Sequence, residues 1–442
     1  MQYKKGQKIE VRIEKLAFGG KGIGQFEGRK VFVNDAVPGD LVECSLSRIK
    51  PNYFEAKLVK IIKSSDLRIK PKCKHFDICG GCTWQYLNYD EQLKIKETQV
   101  KEALEHIGGF KNPIVKPIIG CDEPWFYRNK MEFSFYKEMV GLHPKGYRYE
   151  VFDLNECFLE SPEIPKILEQ VRNIIKPGII SIVIREGKRT NERLINLIYD
   201  EAEIDRVKFT EFMKPFATSI YITKKIAKRG QKTQLIEEHL HGKKTLTEEM
   251  CGLKFEILPQ AFFQPNTLQA EKLYKTVAGL GEIKAKHIVF DLFCGTGTIG
   301  MTLASEAKFV FGADTNKSAI QNAEQNAKSN NIQNIEFFAG DAYKVIKELD
   351  IKPDIVVVDP PRSGLSKKLT EKLAKLKPKR IIYVSCNPTT QARDLKTLKK
   401  SHYKLEVTQP VDMAPHTYHI ETVAKLTYNS LWSRILNLIK LT

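Results

Sequence analysis

The sequence predicts a multidomain protein: a small N-terminal OB-like β-barrel, an α+β middle, and a C-terminal α/β domain on a parallel sheet. Three observations predict it. Residues 1–63 break into short β-runs divided by glycine-rich turns. Residues 126–254 mix strand-like alternation with amphipathic helices, and beyond 255 apolar strands alternate with helices, the pattern of a parallel sheet.

In the first part the runs KIEVRIEKLA, KVFVNDA, DLVECSLSRI and FEAKLVKII are separated by turn clusters at Phe18–Gly24 and Val37–Asp40. Five or so short strands with glycine corners fit an oligonucleotide-binding barrel, whose open face and loops commonly hold single strands. A barrel that only packs against its neighbour would read the same way. A cysteine- and glycine-rich stretch follows over 64–92, then a helix over about 93–107. In the middle, KMEFSFYK, ISIVIREG, RLINLIYD and SIYITKK read as strands, and IPKILEQVRNII and IDRVKFTEFMK as helices. The expected division is barrel 1–63, centre 64–92 with 126–254, and α/β domain 93–125 with 255–430. A tail over 431–442 could form one apolar-faced helix packed on the body.

Lys and Arg number 71 against 53 Asp and Glu, a formal charge of +18. Such an excess suits a polyanion, because phosphate contacts release counterions; a lysine-rich composition by itself is the bland account. The start, MQYKKGQKIEVRIEKL, has no apolar run before a cleavage site, and no stretch approaches a membrane span. A soluble cytoplasmic protein, monomeric by default and without a membrane partner, is expected. Nine cysteines, an odd number, point away from disulfides and toward metal or catalytic duty.

The run Val289-Phe290-Asp291-Leu292-Phe293-Cys294-Gly295-Thr296-Gly297-Thr298 ends a strand in a glycine turn and opens a helix, where backbone N–H groups can approach a ligand closely. Alone it is a weak signal, shared by nicotinamide, flavin and adenosylmethionine enzymes. Asp314 follows the next strand, where an acid can accept from ribose hydroxyls, and Asp341 follows the one after, though either could simply cap a helix. Asp359-Pro360-Pro361-Arg362-Ser363-Gly364 and Ser385-Cys386-Asn387-Pro388 each follow an apolar strand, and Glu421 opens the run ETVAKLTY.

At these residues the chain resembles the RNA 5-methyluridine methyltransferase family, in particular its 23S ribosomal RNA branch with an N-terminal TRAM barrel and an iron–sulfur cluster. The matching motifs are Pro259-Gln260-Ala261-Phe262-Phe263-Gln264-Pro265-Asn266, DLFCGTGTIG, DPPRSG, SCNP and DMAPHTYHIE. Asp314 stands where a glutamate is commoner in the family, and Thr298 where asparagine is frequent. The resemblance implies a Rossmann-like S-adenosylmethionine domain with Gln264, Phe293, Asp314, Asp341 and Asp359 lining the cofactor site. It also implies a cysteine nucleophile, Cys386, and a general base, Glu421. That pair suits the chemistry: C5 of uracil is a poor nucleophile until a thiolate adds at C6, and the adduct must then lose its C5 proton to a base. Methylation of an exocyclic nitrogen would leave SCNP and Glu421 without a role. The same chemistry on transfer RNA, or a non-catalytic iron–sulfur RNA-binding protein, are the competing functions.

Cys73, Cys79 and Cys82 lie within ten residues, and three thiolates need a fourth ligand. Zinc and a 4Fe-4S cluster both accept four; His75 is a conceivable zinc ligand. The family pattern implies 4Fe-4S with Cys157 as the fourth thiolate. Cys44, Cys121, Cys251 and Cys294 default to packing. For a flipped or looped base, Trp125–Lys130 interleaves aromatics with charge but equally reads as a strand start. Phe262 and Phe263 are the better stacking candidates, one of them expected in the core.

Overall fold

The computed structural model describes residues 3–429 except 175, 229 and 232. The tail helix expected over 431–442 lies outside the described residues.

Strands β1 (Lys8–Leu16), β2 (Gly22–Phe26), β3 (Arg29–Val33), β4 (Leu41–Ile49) and β5 (Tyr53–Lys63) close a barrel in the order β1-β2-β3-β5-β4. Alternation in β1 buries Ile9, Val11 and Ile13 and leaves the intervening charges in water. At Gly24 the strands cross so closely that a Cβ would lie 2.2 Å from the Arg12 carbonyl oxygen. Buried Asp40 accepts from the Val37 amide at 2.9 Å and from Arg68 Nη2 at 2.6 Å, which ties the barrel's second turn to the chain leaving it.

Helix α1 (Tyr89–Glu102) starts on the cap Asn88, whose side chain accepts from the Glu91 amide, and runs into a π-helical turn at Ala103–Ile107. Its buried side chains include Gln92, Lys96 and Gln99, an unusually polar inner face.

The middle holds β6 (Lys130–Tyr136), β7 (Met139–Leu142), β8 (Phe152–Asp153), α2 (Ile164–Arg172), β9 (Ile179–Glu186), β10 (Arg193–Tyr199), α3 (Arg206–Met213), β11 (Ser219–Ile226) and β12 (Gln234–Gly242). Its seven strands follow the order β12-β11-β10-β9-β6-β7-β8. One face, including Phe133, Ile182, Ile184, Leu197 and Ile222, packs on Ile167, Leu168 and Val171 of α2 and Phe209 and Met213 of α3.

A hairpin of β13 (Leu246–Met250) and β14 (Leu253–Ile257) leads to α4 (Thr267–Gly281) and then to the alternating unit. That unit comprises β15 (Ile288–Leu292), α5 (Thr298–Ala304), β16 (Phe309–Asp314), α6 (Lys317–Ser329), β17 (Ile335–Ala339), α7 (Ala342–Leu349), β18 (Ile355–Val358), α8 (Lys367–Leu376), β19 (Arg380–Ser385), α9 (Pro388–Lys400), β20 (Tyr403–Val411) and β21 (Glu421–Tyr428). The sheet order is β17-β16-β15-β18-β19-β21-β20. Apolar cores cover both faces, which is why β18 reads as the unbroken run IVVV. The strand–helix alternation through RIIYVSC predicts a parallel sheet, and the last two strands, beyond that alternation, depart from it. No helix separates β20 from β21, so they fold back antiparallel, and β21 also runs antiparallel to β19.

Candidate active site

The glycine turn leaves β15 in left-handed backbone, with φ of +65° at Phe293, +54° at Gly295 and +75° at Gly297. The Phe293 and Cys294 amides donate to the Ala313 carbonyl at 2.8 and 3.1 Å, so the turn is moored to the end of β16. A Cβ at Gly297 would sit 2.6 Å from the Phe337 ring; only glycine meets both the φ and the space. Asp291 is fully buried beneath the turn, its Oδ2 accepting from the Gly300 amide at 2.8 Å, and burial pushes its carboxyl up to about 8.

Asp314 Oδ2 accepts from the Gly295 amide at 3.0 Å and Oδ1 from the Asn316 amide at 2.8 Å. Asp341 caps α7, its Oδ1 accepting from the Tyr343 and Lys344 amides, so the capping account applies to it. Gln264 belongs to a loop that lies over the glycine turn: Thr296 Oγ1 donates to the Phe262 carbonyl at 3.3 Å, and Asn129 Nδ2 to the Gln264 carbonyl at 2.8 Å. Phe262 is 65% exposed, whereas Phe263 is in the core against Phe255. Gln264, Phe293, Asp314, Asp341 and Asp359 thus all gather at the carboxyl ends of β15 to β18 or on the loop above them.

Asp359 follows β18, and Cys386 follows β19. The two loops are bolted together, with Asn387 Nδ2 and Thr390 Oγ1 donating to the Arg362 carbonyl at 3.1 and 3.2 Å. Asn387 also caps α9, accepting from the Thr389 and Thr390 amides, which fixes the backbone just after the thiol. Glu421 opens β21; its neighbour Thr422 pairs with Ser385, the residue before Cys386. The ladder thereby brings thiol and carboxyl to one end of one strand pair.

Asp359, Cys386 and Glu421 are each half-buried. Burial pushes the Cys386 thiol up to about 11, Glu421 and Asp359 add to the rise, and Arg362 opposes it. Burial lifts Asp359 to about 7. Burial, then Asp359, holds Glu421 well above the usual carboxylate range against the pull of Arg362. Arg362 Nη2 lies 3.4 Å from both ring nitrogens of His419, whose basicity falls to about 4, chiefly through burial. A weakly acidic carboxyl beside a thiol in a half-dry cleft is an arrangement for moving a proton.

The cysteine stretch packs beside this end of the molecule. Cys73, Cys82 and Cys157 border one apolar cluster around Trp84 and Tyr127, and the Gly81 amide donates to Cys79 Sγ at 3.3 Å. Burial pushes the Cys82 thiol up to about 12 against a hydrogen bond from Gln85, with Cys157, Cys79 and Cys73 adding to the rise. All four thiols are free. Among the described residues no set of three or more His, Cys, Asp or Glu side chains is arranged to hold a metal ion. His75 Nε2 is hydrogen-bonded to Asn155 Oδ1 at 2.9 Å.

Trp125–Lys130 serves as a tie between parts of the molecule, which its mixed sequence does not betray. Trp125 stacks on His416 at 3.6 Å, Tyr127 donates to the Pro415 carbonyl at 3.2 Å, and Asn129 is buried against Thr267. Sequence reasoning passed over Asp291, Lys96 and Gln92. The signal for Asp291 was the charge inside an otherwise apolar strand; the two on α1 resemble surface helix residues and gave none. Among the described residues no helix is long and apolar enough to cross a membrane.

The sequence profile of the tRNA (uracil-5-)-methyltransferase family matches residues 187–428, and that of the TRAM domain matches residues 2–59. An uncharacterized RNA methyltransferase of Clostridium tetani is 35% identical over 455 residues, covering 96% of this chain and 97% of the relative. Another, of Gloeobacter violaceus, is 36% identical over 443 residues, covering 95% and 96%. Among solved structures, the Pyrococcus abyssi tRNA (uracil-54, C5)-methyltransferase in complex with S-adenosyl-L-homocysteine superposes with a TM-score of 0.76 at 29% identity. That match covers 95% of this chain and 100% of the other. The chain therefore belongs to the tRNA (uracil-5-)-methyltransferase family and is an RNA methyltransferase dependent on S-adenosylmethionine.

Proposed function

We propose that this enzyme methylates C5 of a uridine in 23S ribosomal RNA through a covalent adduct between Cys386 and C6 of the base. The observation that carries the reading is the meeting of Cys386, Glu421 and Asp359 at adjacent strand ends, each within electrostatic reach of the others. Cys386 loses its thiol proton to solvent, the thiolate adds to C6, and the electrons of the C5–C6 double bond move toward O4, leaving a nucleophilic C5. S-adenosylmethionine supplies the methyl group that C5 takes. Glu421 removes the C5 proton, the double bond re-forms, and Sγ leaves C6 with its electron pair. Gln264, Phe293, Asp314, Asp341 and Asp359 are the residues assigned to the cofactor, and Asp359 also acts electrostatically on the Cys386 thiol. The barrel, residues 1–63, is assigned to RNA contact.

Ribosomal RNA is preferred because barrel and cysteine stretch together resemble the ribosomal branch. A second reading, a transfer RNA uridine, is favoured by the similarity to the Pyrococcus abyssi tRNA (uracil-54, C5)-methyltransferase. Incubation with labelled S-adenosylmethionine and both RNAs in parallel is expected to label the ribosomal fragment at uracil C5. Label confined to transfer RNA would replace the first reading with the second.

For the cysteines the proposal is a 4Fe-4S cluster on Cys73, Cys79, Cys82 and Cys157, joining the segment after the barrel to the central sheet. The support is the cysteine spacing and four free thiols of the type such a cluster takes, three of them bordering one apolar cluster, with a Gly81 N–H on Cys79 Sγ that suits a thiolate; the described side chains are not drawn together as a ligand set. Anaerobically purified protein should contain iron and acid-labile sulfide in equal amounts, lost in Cys157→Ser. Zinc in their place would sink the assignment.

A further inference from the structure

The loop from Asp412 to Ile420, which delivers Glu421 to the cleft, is held from beneath by charges that ordinary folding does not require. Lys96 Nζ contacts Asp412 Oδ1 at 2.7 Å with both side chains at 0% exposure, and also donates to the Ala414 carbonyl at 3.2 Å. Asp412 Oδ1 accepts from the Ala414 amide at 3.2 Å, and the Tyr89 phenol, also on α1, lies beside the same carboxylate.

One turn earlier on α1, Gln92 Oε1 accepts from the His416 amide at 2.8 Å, and its Nε2 lies 3.2 Å from His416 Nδ1. His416, in left-handed backbone at φ +63°, accepts at its carbonyl from the Thr83 and Trp84 amides at 2.9 and 3.0 Å. Residues 92 and 96 share a helix face, so α1 grips the loop at two points, and the cysteine segment grips it at a third.

A buried ion pair is a poor way to gain stability, since well-packed apolar residues in its place are often neutral or better. What it does supply is a single geometry for the groups around it. We propose that Lys96 and Asp412 are positioning residues for the proton-abstracting step: with Gln92 they fix the loop so that Glu421 stands at the reacting carbon. The inference rests on Glu421 acting as the base.

The test uses the full-length protein carrying Lys96→Met with Asp412→Leu, with Glu421→Gln as reference and RNA containing ordinary uridine. The double variant should keep a melting temperature near that of wild type and bind both substrates as wild type does, while kcat falls roughly 100-fold, as misplaced catalytic groups commonly cause, and KM for RNA falls with it because the adduct accumulates. A methylated protein–RNA adduct that survives denaturation should accumulate, as in Glu421→Gln, because addition proceeds and elimination stalls. A merely structural role would lower stability or binding without trapping that adduct. If Glu421→Gln traps the adduct and the double variant does not, the positioning role is wrong. If neither traps it, the reading of Glu421 as base falls, and the inference with it. Should the apolar pair fail to fold, Lys96→Gln with Asp412→Asn, a neutral hydrogen-bonding pair, carries the same comparison.

Discussion

A Cys386→Ala protein will bind S-adenosylmethionine and RNA as wild type does and transfer no methyl group. The expected loss in turnover is on the order of 10⁵-fold or more, the scale seen when an enzyme's nucleophile is removed. The side chain is half-buried at a strand end, and its removal leaves the Asn387 cap and the Arg362 carbonyl bonds in place, so folding should survive. RNA carrying 5-fluorouridine isolates the step, because fluorine at C5 cannot leave as a proton would. Wild-type protein should form a methylated adduct with it that persists in denaturant, and Cys386→Ala none.

The same thiol predicts a pH dependence. In the ligand-free cleft, burial with Glu421 and Asp359 pushes it up to about 11, so the reactive thiolate fraction should rise about tenfold per pH unit through the neutral and mildly alkaline range. Alkylation of Cys386 should follow that slope. Asp359→Asn removes a negative neighbour, lowers the thiol's pKa, and should move the profile toward lower pH. An adduct formed by Cys386→Ala, or none formed by wild-type protein that binds cofactor normally, would remove the covalent mechanism.

The alternating domain was legible because its physics is local. Strands buried on both faces are runs such as DIVVVD, and each carries its motif at its carboxyl end, so strand order along the chain already assembles the cofactor side. The barrel was legible from its glycine corners. What the sequence hid were contacts between distant parts that use ordinary-looking residues. Lys96 belongs to a helix with lysines at 94, 96 and 101, and nothing local marks one of them as buried against Asp412. Trp125 and Tyr127 read equally as a stacking surface or a strand start, and nothing local announces that His416 and Pro415 meet them. The antiparallel return of β21 was equally hidden, although it is what carries Glu421 to Cys386.

That placement makes Glu421→Gln the more informative substitution. Glutamine keeps the size and a hydrogen-bonding head but cannot take the C5 proton. Addition of Cys386 and methyl transfer should therefore still occur once, and elimination should stall. Multiple turnover is expected to fall by about 10²- to 10⁴-fold, the usual contribution of a general base, while roughly one methyl group per protein appears in an adduct stable to denaturation. The folded-state pKa of Glu421 is raised, so wild-type stability at this site is fully present below the unfolded carboxyl's pKa and declines as pH rises through the higher folded value. Glutamine removes that ionisation; the variant should match or exceed wild type in melting temperature under alkaline conditions. Slow turnover in a protein at least as stable as wild type would separate lost proton abstraction from lost folding. Full turnover in Glu421→Gln would move the base to another group in the cleft, and Asp359, lifted to about 7 by burial beside the same thiol, is the carboxyl that stands there.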